Sequence, residues 1–125
     1  MKIIIDTDPG TDDAVAILIA LAHFADDEIL GITTVAGNVG VKVGTLNALR
    51  ILEHAGRNTI PVYEGESKPL KRELLTAEWV YGTDGLGGVP FPQPTKTSEE
   101  SDAVSFIKDA ISDSGEKVTI CVLGP

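Results

Sequence analysis

The chain reads as an α/β domain built on an open parallel sheet with flanking helices, of the Rossmann-like kind. Three observations predict this. Short apolar runs alternate with amphipathic segments of helical length, the order expected of parallel strands joined by helical crossovers. The first run, Ile3-Ile4-Ile5, is continuously apolar, as in a strand covered on both faces. Polar residues gather just after the apolar runs, where ligands bind in open α/β sheets.

The elements follow in order. Residues 2–6 form the first strand, and Pro9-Gly10 makes a turn. Asp12 and Asp13 open a helix reaching about Phe24, and acidic residues in a first turn suit the helix dipole. Residues 29–35 are the second strand, ended by Ala36-Gly37-Asn38. A helix follows over 41–55, with Val43, Leu46, Leu49, Ile51 and Leu52 near helical spacing and Gly56 as its stop. Residues 60–63 are a brief third strand before Glu64-Gly65. A short helix is expected over 73–80. Residues 82–94, dense in glycine and proline, form a long loop. A helix over 98–112 follows, capped by Ser98, with Ala103, Phe106, Ile107, Ala110 and Ile111 as its buried stripe. Residues 117–123 are the fourth strand. There is no repeat and no second domain, so 1–125 reads as one unit.

Composition narrows the function. Net charge is −9 and 42% of residues are apolar. The acidity argues against nucleic acid or an anionic membrane as partner, since both need basic patches. The longest apolar run, 14–22, is too short to span a bilayer as a helix. No signal peptide is evident, and a cytoplasmic location is expected. The single cysteine, Cys121, lies in a β-rich apolar run and is expected as a small buried hydrophobe.

Four aspartates occur in eight residues: Asp6, Asp8, Asp12 and Asp13. Capping a helix needs one, not four. Like charges so close resist ionising together, and a cation resolves the conflict. Oxygen-only ligands point to a hard ion, Ca²⁺ or Mg²⁺. Asp6 and Asp8 follow the first strand, Asn38 the second, Glu64 the third, and Leu123 ends the fourth, so all converge on one sheet edge. Glu64 alone reads as a surface residue. His23 and His54 fall on helices away from that edge. An EF-hand from Asp6 fails, because its fifth and twelfth positions are Gly10 and Ile17. No Gly-Lys-Ser/Thr phosphate loop exists.

The string Asp6-Thr7-Asp8-Pro9-Gly10-Thr11-Asp12-Asp13-Ala14 after an isoleucine strand resembles the N-terminal signature of the nucleoside hydrolases, the inosine–uridine-preferring ribohydrolases. Residues 33–38 resemble that family's second strand and its sugar-contacting asparagine. Residues 81–88 resemble its glycine-rich loop, and 118–125 the strand that supplies a main-chain metal ligand. The resemblance implies hydrolysis of the N-glycosidic bond of nucleosides with a tightly held Ca²⁺. By that resemblance Asp8 is a metal ligand and general base, Asp13 a second ligand, and Leu123 a ligand through its backbone carbonyl. Asp6 supports the metal shell. Asp12 binds a ribose hydroxyl, Asn38 contacts the sugar, and Tyr81 stands where the family often has histidine.

The resemblance also implies that the chain is the N-terminal part of a longer domain, truncated after the fourth strand. A further metal-binding aspartate, a histidine that helps the base leave, and most base contacts then lie outside it. The chain alone is expected to be weak or inactive. The alternative is a non-catalytic remnant that binds Ca²⁺ and ribose. The apolar fourth strand at an open edge predicts a homo-oligomer. A haloacid-dehalogenase-type phosphohydrolase fits worse, since Gly10 stands where that family wants threonine or valine.

Overall fold

The computed structural model describes residues 1–125. Its element order is β1 (Lys2–Thr7), α1 (Thr11–His23), β2 (Ile29–Thr34), α2 (Val41–His54), β3 (Val62–Glu64), α3 (Glu78–Tyr81), α4 (Ala103–Asp113) and β4 (Val118–Val122). The strands make one parallel sheet in the order β3-β2-β1-β4. The chain therefore walks one way from β1 to β3 and then returns to the far side of β1. With right-handed crossovers this reversal puts helices on both faces.

The packing bears that out. Ile3 and Ile5 of β1 share a core with Ile17 and Leu21 of α1, Ile32 of β2, and Ala48, Ile51 and Leu52 of α2. Ile4 points the other way, paired with Gly31. A Cβ at Gly31 would meet Phe106 of α4 at 2.9 Å and Tyr63 at 3.0 Å, so α4 covers that second face. Phe106 and Tyr63 stack with centroids 3.8 Å apart. The missing side chain at Gly31 lets this aromatic pair lie flat on the sheet. All three isoleucines of β1 are buried, as a doubly covered strand requires. No helix is long and apolar enough to cross a membrane.

Several boundaries differ from the sequence reading. The third strand starts at Val62, because Pro61 has no N–H for the ladder; its carbonyl instead accepts from Ile32 N. The helix expected over 73–80 contracts to Glu78–Tyr81, with Trp79 and Leu75 exposed. Its apolar residues have no surface to bury against, and a single turn does not hold on propensity alone. The helix expected from Ser98 starts at Ala103. Asp102 caps it, accepting from Ser105 N at 2.9 Å, while Glu99 N is spent on the Val62 carbonyl. Of its expected buried stripe only Ala103 is fully buried; Ile111 is exposed. Cys121 is also exposed, because β4 is an edge strand with no helix over it. Gly56 does end α2. At φ +69° it places its own N–H on the Glu53 carbonyl and that of Arg57 on Leu52.

Candidate functional site

The sheet reverses its order between β1 and β4, and open α/β sheets bind ligands at such a switch point, beyond the strand C-termini. A cleft of about 560 Å³ lies there. Asp8, Asp12 and Asp13 line it from the first turn, Gly37 and Asn38 from the end of β2, and Leu123, Gly124 and Pro125 from the end of β4.

The turn is held by its own side chains. Gly10 N donates to Asp13 Oδ2 at 3.2 Å, so the third residue of α1 reaches back to the start of the helix. Thr7 Oγ1 donates to Asp13 Oδ1 at 2.6 Å. Asn38 binds the pair together: its N–H donates to Asp8 Oδ2 at 2.7 Å, and its Nδ2 donates to the Asp8 carbonyl at 3.1 Å and to Asp13 Oδ2 at 3.0 Å. Both amide hydrogens of Asn38 are thereby committed to the aspartates. Gly37 stands against Asp8, where a Cβ would lie 2.1 Å from Asp8 Oδ2. Glycine is required here by close approach.

Asp8 and Asp13 are 6% and 5% exposed, and neither joins any of the ion pairs of the chain. The Asp8 carboxyl is held above the usual 3.8. Burial is the main cause; the Asn38 N–H pulls downward, and the charges of Asp13 and Asp12 add to the rise. Two buried carboxylates facing one cleft without a basic partner suit a hard cation chemically. No group of three or more acidic, histidine or cysteine side chains is set to hold one. The donors on hand are the Asp8 and Asp13 carboxylates and the main chain of Leu123 at the cleft wall.

Asp6 is tied elsewhere. Its carboxylate accepts from Thr33 Oγ1, and its carbonyl accepts from Leu123 N at 2.7 Å and Gly124 N at 3.3 Å. It thus fixes the end of β4 beside β1 rather than touching Asp8 or Asp13. Asp12 is exposed at the cleft and faces Tyr81, whose phenol is held above its usual value of 10.0, chiefly by the Asp12 charge. Glu64 pairs with Lys42 at 2.8 Å. His23 and His54 pack edge-on against Phe24 and Phe91, away from the cleft.

Sequence reasoning passed over two residues. Asn47, fully buried in α2, donates to the Pro9 carbonyl at 3.2 Å and to the Asp84 carbonyl at 2.7 Å. Asp84 organises the glycine-rich loop, its carboxylate accepting from Leu86 N and Gly88 N. The available signal was an asparagine in a helix interior beside Leu46, Ala48 and Leu49, where it lowers helix propensity and, once buried, must find partners.

Comparison with known proteins shows relatives in sequence and in fold. The chain is 50% identical over its whole length to an uncharacterised protein of Schizosaccharomyces pombe, covering 40% of it. It is 46% identical to uridine nucleosidase 1 of Arabidopsis thaliana, over 99% of this chain and 37% of that one. It superposes on the purine-preferring ribonucleoside hydrolase of Gardnerella vaginalis with a TM-score of 0.92 at 32% identity, over 100% of this chain and 40% of the other. The chain thus spans about 40% of the length of the curated relatives it matches. With residues 3–125 fitting the model of the inosine-uridine preferring nucleoside hydrolases, and the aspartate turn lying at the switch point of the sheet, the chain belongs to that family.

Proposed function

We propose that this chain carries the sugar- and metal-binding half of a nucleoside N-ribohydrolase site, which splits a nucleoside with water into ribose and free base. The carrying observation is the pair of buried carboxylates, Asp8 and Asp13, that faces the switch-point cleft with no basic partner. Asp8, Asp13 and the Leu123 carbonyl would hold the cation, taken as Ca²⁺, with Asp6 steadying Leu123 from behind. A hard cation bound here lowers the pKa of a water and orients it beside the sugar.

The chain's own groups then do the following. Asp8, whose carboxylate lines the cleft, accepts the proton of the attacking water. The water oxygen bonds to the anomeric carbon as the bond to the base nitrogen breaks. The departing base takes a proton from solvent, and Asp8 returns its own to solvent when the products leave, so that one water is consumed overall. The ionised carboxylates favour the positive charge that develops on the sugar. Asp12 accepts from a ribose hydroxyl. Asn38 has its side-chain Oδ1 left for the sugar, and Tyr81 bounds the place of the leaving base.

A hard ion takes six to eight oxygens, more than the three donors on this cleft wall provide. That favours weak turnover by the chain alone, with a non-catalytic Ca²⁺- and ribose-binding remnant as the second reading. The proposed setting is cytoplasmic nucleoside salvage, with the chain as a homo-oligomer. Calcium titration calorimetry beside a ribose-release assay on uridine and inosine tests it. Binding with release that Asp8→Asn abolishes supports the enzyme. Binding without release supports the remnant, and no binding refutes the metal assignment.

A further inference from the structure

The loop 82–88 would be expected to move. Gly82, Gly85, Gly87 and Gly88 all have positive φ, and such glycines give up much freedom when ordered. It is nonetheless tied internally. Gly85 N donates to the Gly82 carbonyl at 3.0 Å, and Gly87 N to the Tyr81 carbonyl at 2.8 Å. Asp84 gathers the Leu86 and Gly88 amides. The loop therefore behaves as one piece with Tyr81 attached. Outside that piece, Asn38 accepts from Ala77 N at the start of α3, and Asn47 reaches the Asp84 carbonyl.

The Asn47 contact has an unusual geometry. Its single amide group has two hydrogens, and each goes to a main-chain carbonyl from a different part of the site: Pro9, beside Asp8, and Asp84, in the loop. The side chain is 0% exposed. Gly85 closes the same junction: a Cβ there would lie 3.0 Å from Val39 Cγ1 and 3.1 Å from both Asn47 Nδ2 and the Pro9 carbonyl. No aliphatic side chain could satisfy either carbonyl, and nothing larger than glycine fits at 85 without displacing a wall.

We propose that Asn47 is a positioning residue that pins the glycine-rich loop to the aspartate turn and so sets where Tyr81 stands over Asp12. The proposal rests on the ribohydrolase reading only for what the pinned loop does to substrate; the pin itself is a property of the fold. Without the pin, the loop and Tyr81 move together, and the nucleoside loses one wall of its site while Asp8 and Asp13 remain held by Thr7, Gly10 and Asn38.

Amide hydrogen exchange on the full chain tests the pin without needing turnover. Asn47→Leu, nearly isosteric but with no donors, should speed exchange at Leu86, Gly87 and Gly88 by roughly ten- to thirtyfold, while the β1–β2 amides stay within about twofold. Asn47→Gln, which keeps both hydrogens, should restore part of the protection. Gly85→Ala should give the same local pattern from the loop side and decides the matter if Asn47→Leu fails to fold. Unchanged loop protection, or an equal loss throughout the sheet, overturns the proposal. If wild type hydrolyses uridine, KM should rise several-fold more than kcat falls in Asn47→Leu; a fall in kcat alone overturns the assignment to substrate positioning. If wild type releases ribose from neither uridine nor inosine, the chain is the binding remnant rather than an enzyme, and the exchange pattern still judges the pin.

Discussion

Strand β1, in the middle of the sheet, and strand β4, at its edge, are neighbours in register and similar in composition, yet they meet opposite fates. Ile5 pairs with Cys121, and Ile4 with Ile120. In β1 every isoleucine is buried; in β4, Ile120, Cys121 and Val122 are exposed. Helices α1, α2 and α4 cover β1–β3. Beside β4 there is only an apolar groove between it and α1, floored by Ile3 and Ile5 and edged by Ile19 and Leu123. An apolar strand is thus a necessary condition for a buried one and not a sufficient one: burial needs a neighbour on each face.

The site straddles this divide, with its acids on the completed side and Leu123 on the open one. On the completed side, Asp8→Asn removes the carboxylate proposed as base and metal ligand. Turnover should fall by at least about a thousandfold, and the stabilisation by Ca²⁺, about 2.7 kcal/mol at a hundred times Kd, should vanish in a thermal shift with and without chelator. Gly37→Ala should do nearly the same without touching a catalytic atom, since its Cβ would displace the Asp8 carboxylate. Calorimetry showing normal Ca²⁺ affinity in that variant would break the account of the corner as closely packed.

Thr7→Val removes one buried hydrogen bond to Asp13 and should cost about 1–3 kcal/mol in urea unfolding. On the open side, Val122→Lys should leave stability within about 0.5 kcal/mol, because the residue is exposed, while reducing self-association in sedimentation. Equal association by wild type and variant would mean that β4 is not the edge through which copies meet.

Acid response separates the two sides as well. Because the folded chain holds the Asp8 proton more tightly than the unfolded chain does, Asp8 contributes stability at low pH that is lost as pH rises through its raised pKa. Asp8→Asn should flatten that part of the unfolding profile in chelator, and an unchanged profile would assign the effect to another group. Turnover should run oppositely, falling as acid protonates Asp8.

Much of this was legible in the residues. Alternating apolar and amphipathic runs determined the four parallel strands and their helices, because the periods of strand and helix differ. The string from Asp6 to Asp13 between two apolar runs determined where the acids cluster, because a parallel strand leads its polar residues to the ligand-binding edge. Tertiary structure alone decided the rest. It placed β4 beside β1, turning the end of the chain into a wall of the cleft. It spent Asp6 on Thr33 and Leu123, and it committed both Asn38 amide hydrogens to the aspartates. It made Asn47 a bridge between segments 38 and 37 residues away. It left Cys121 and the outer part of α4 in the open. These outcomes depend on which segments meet across long stretches of chain, and local periodicity carries no information about that.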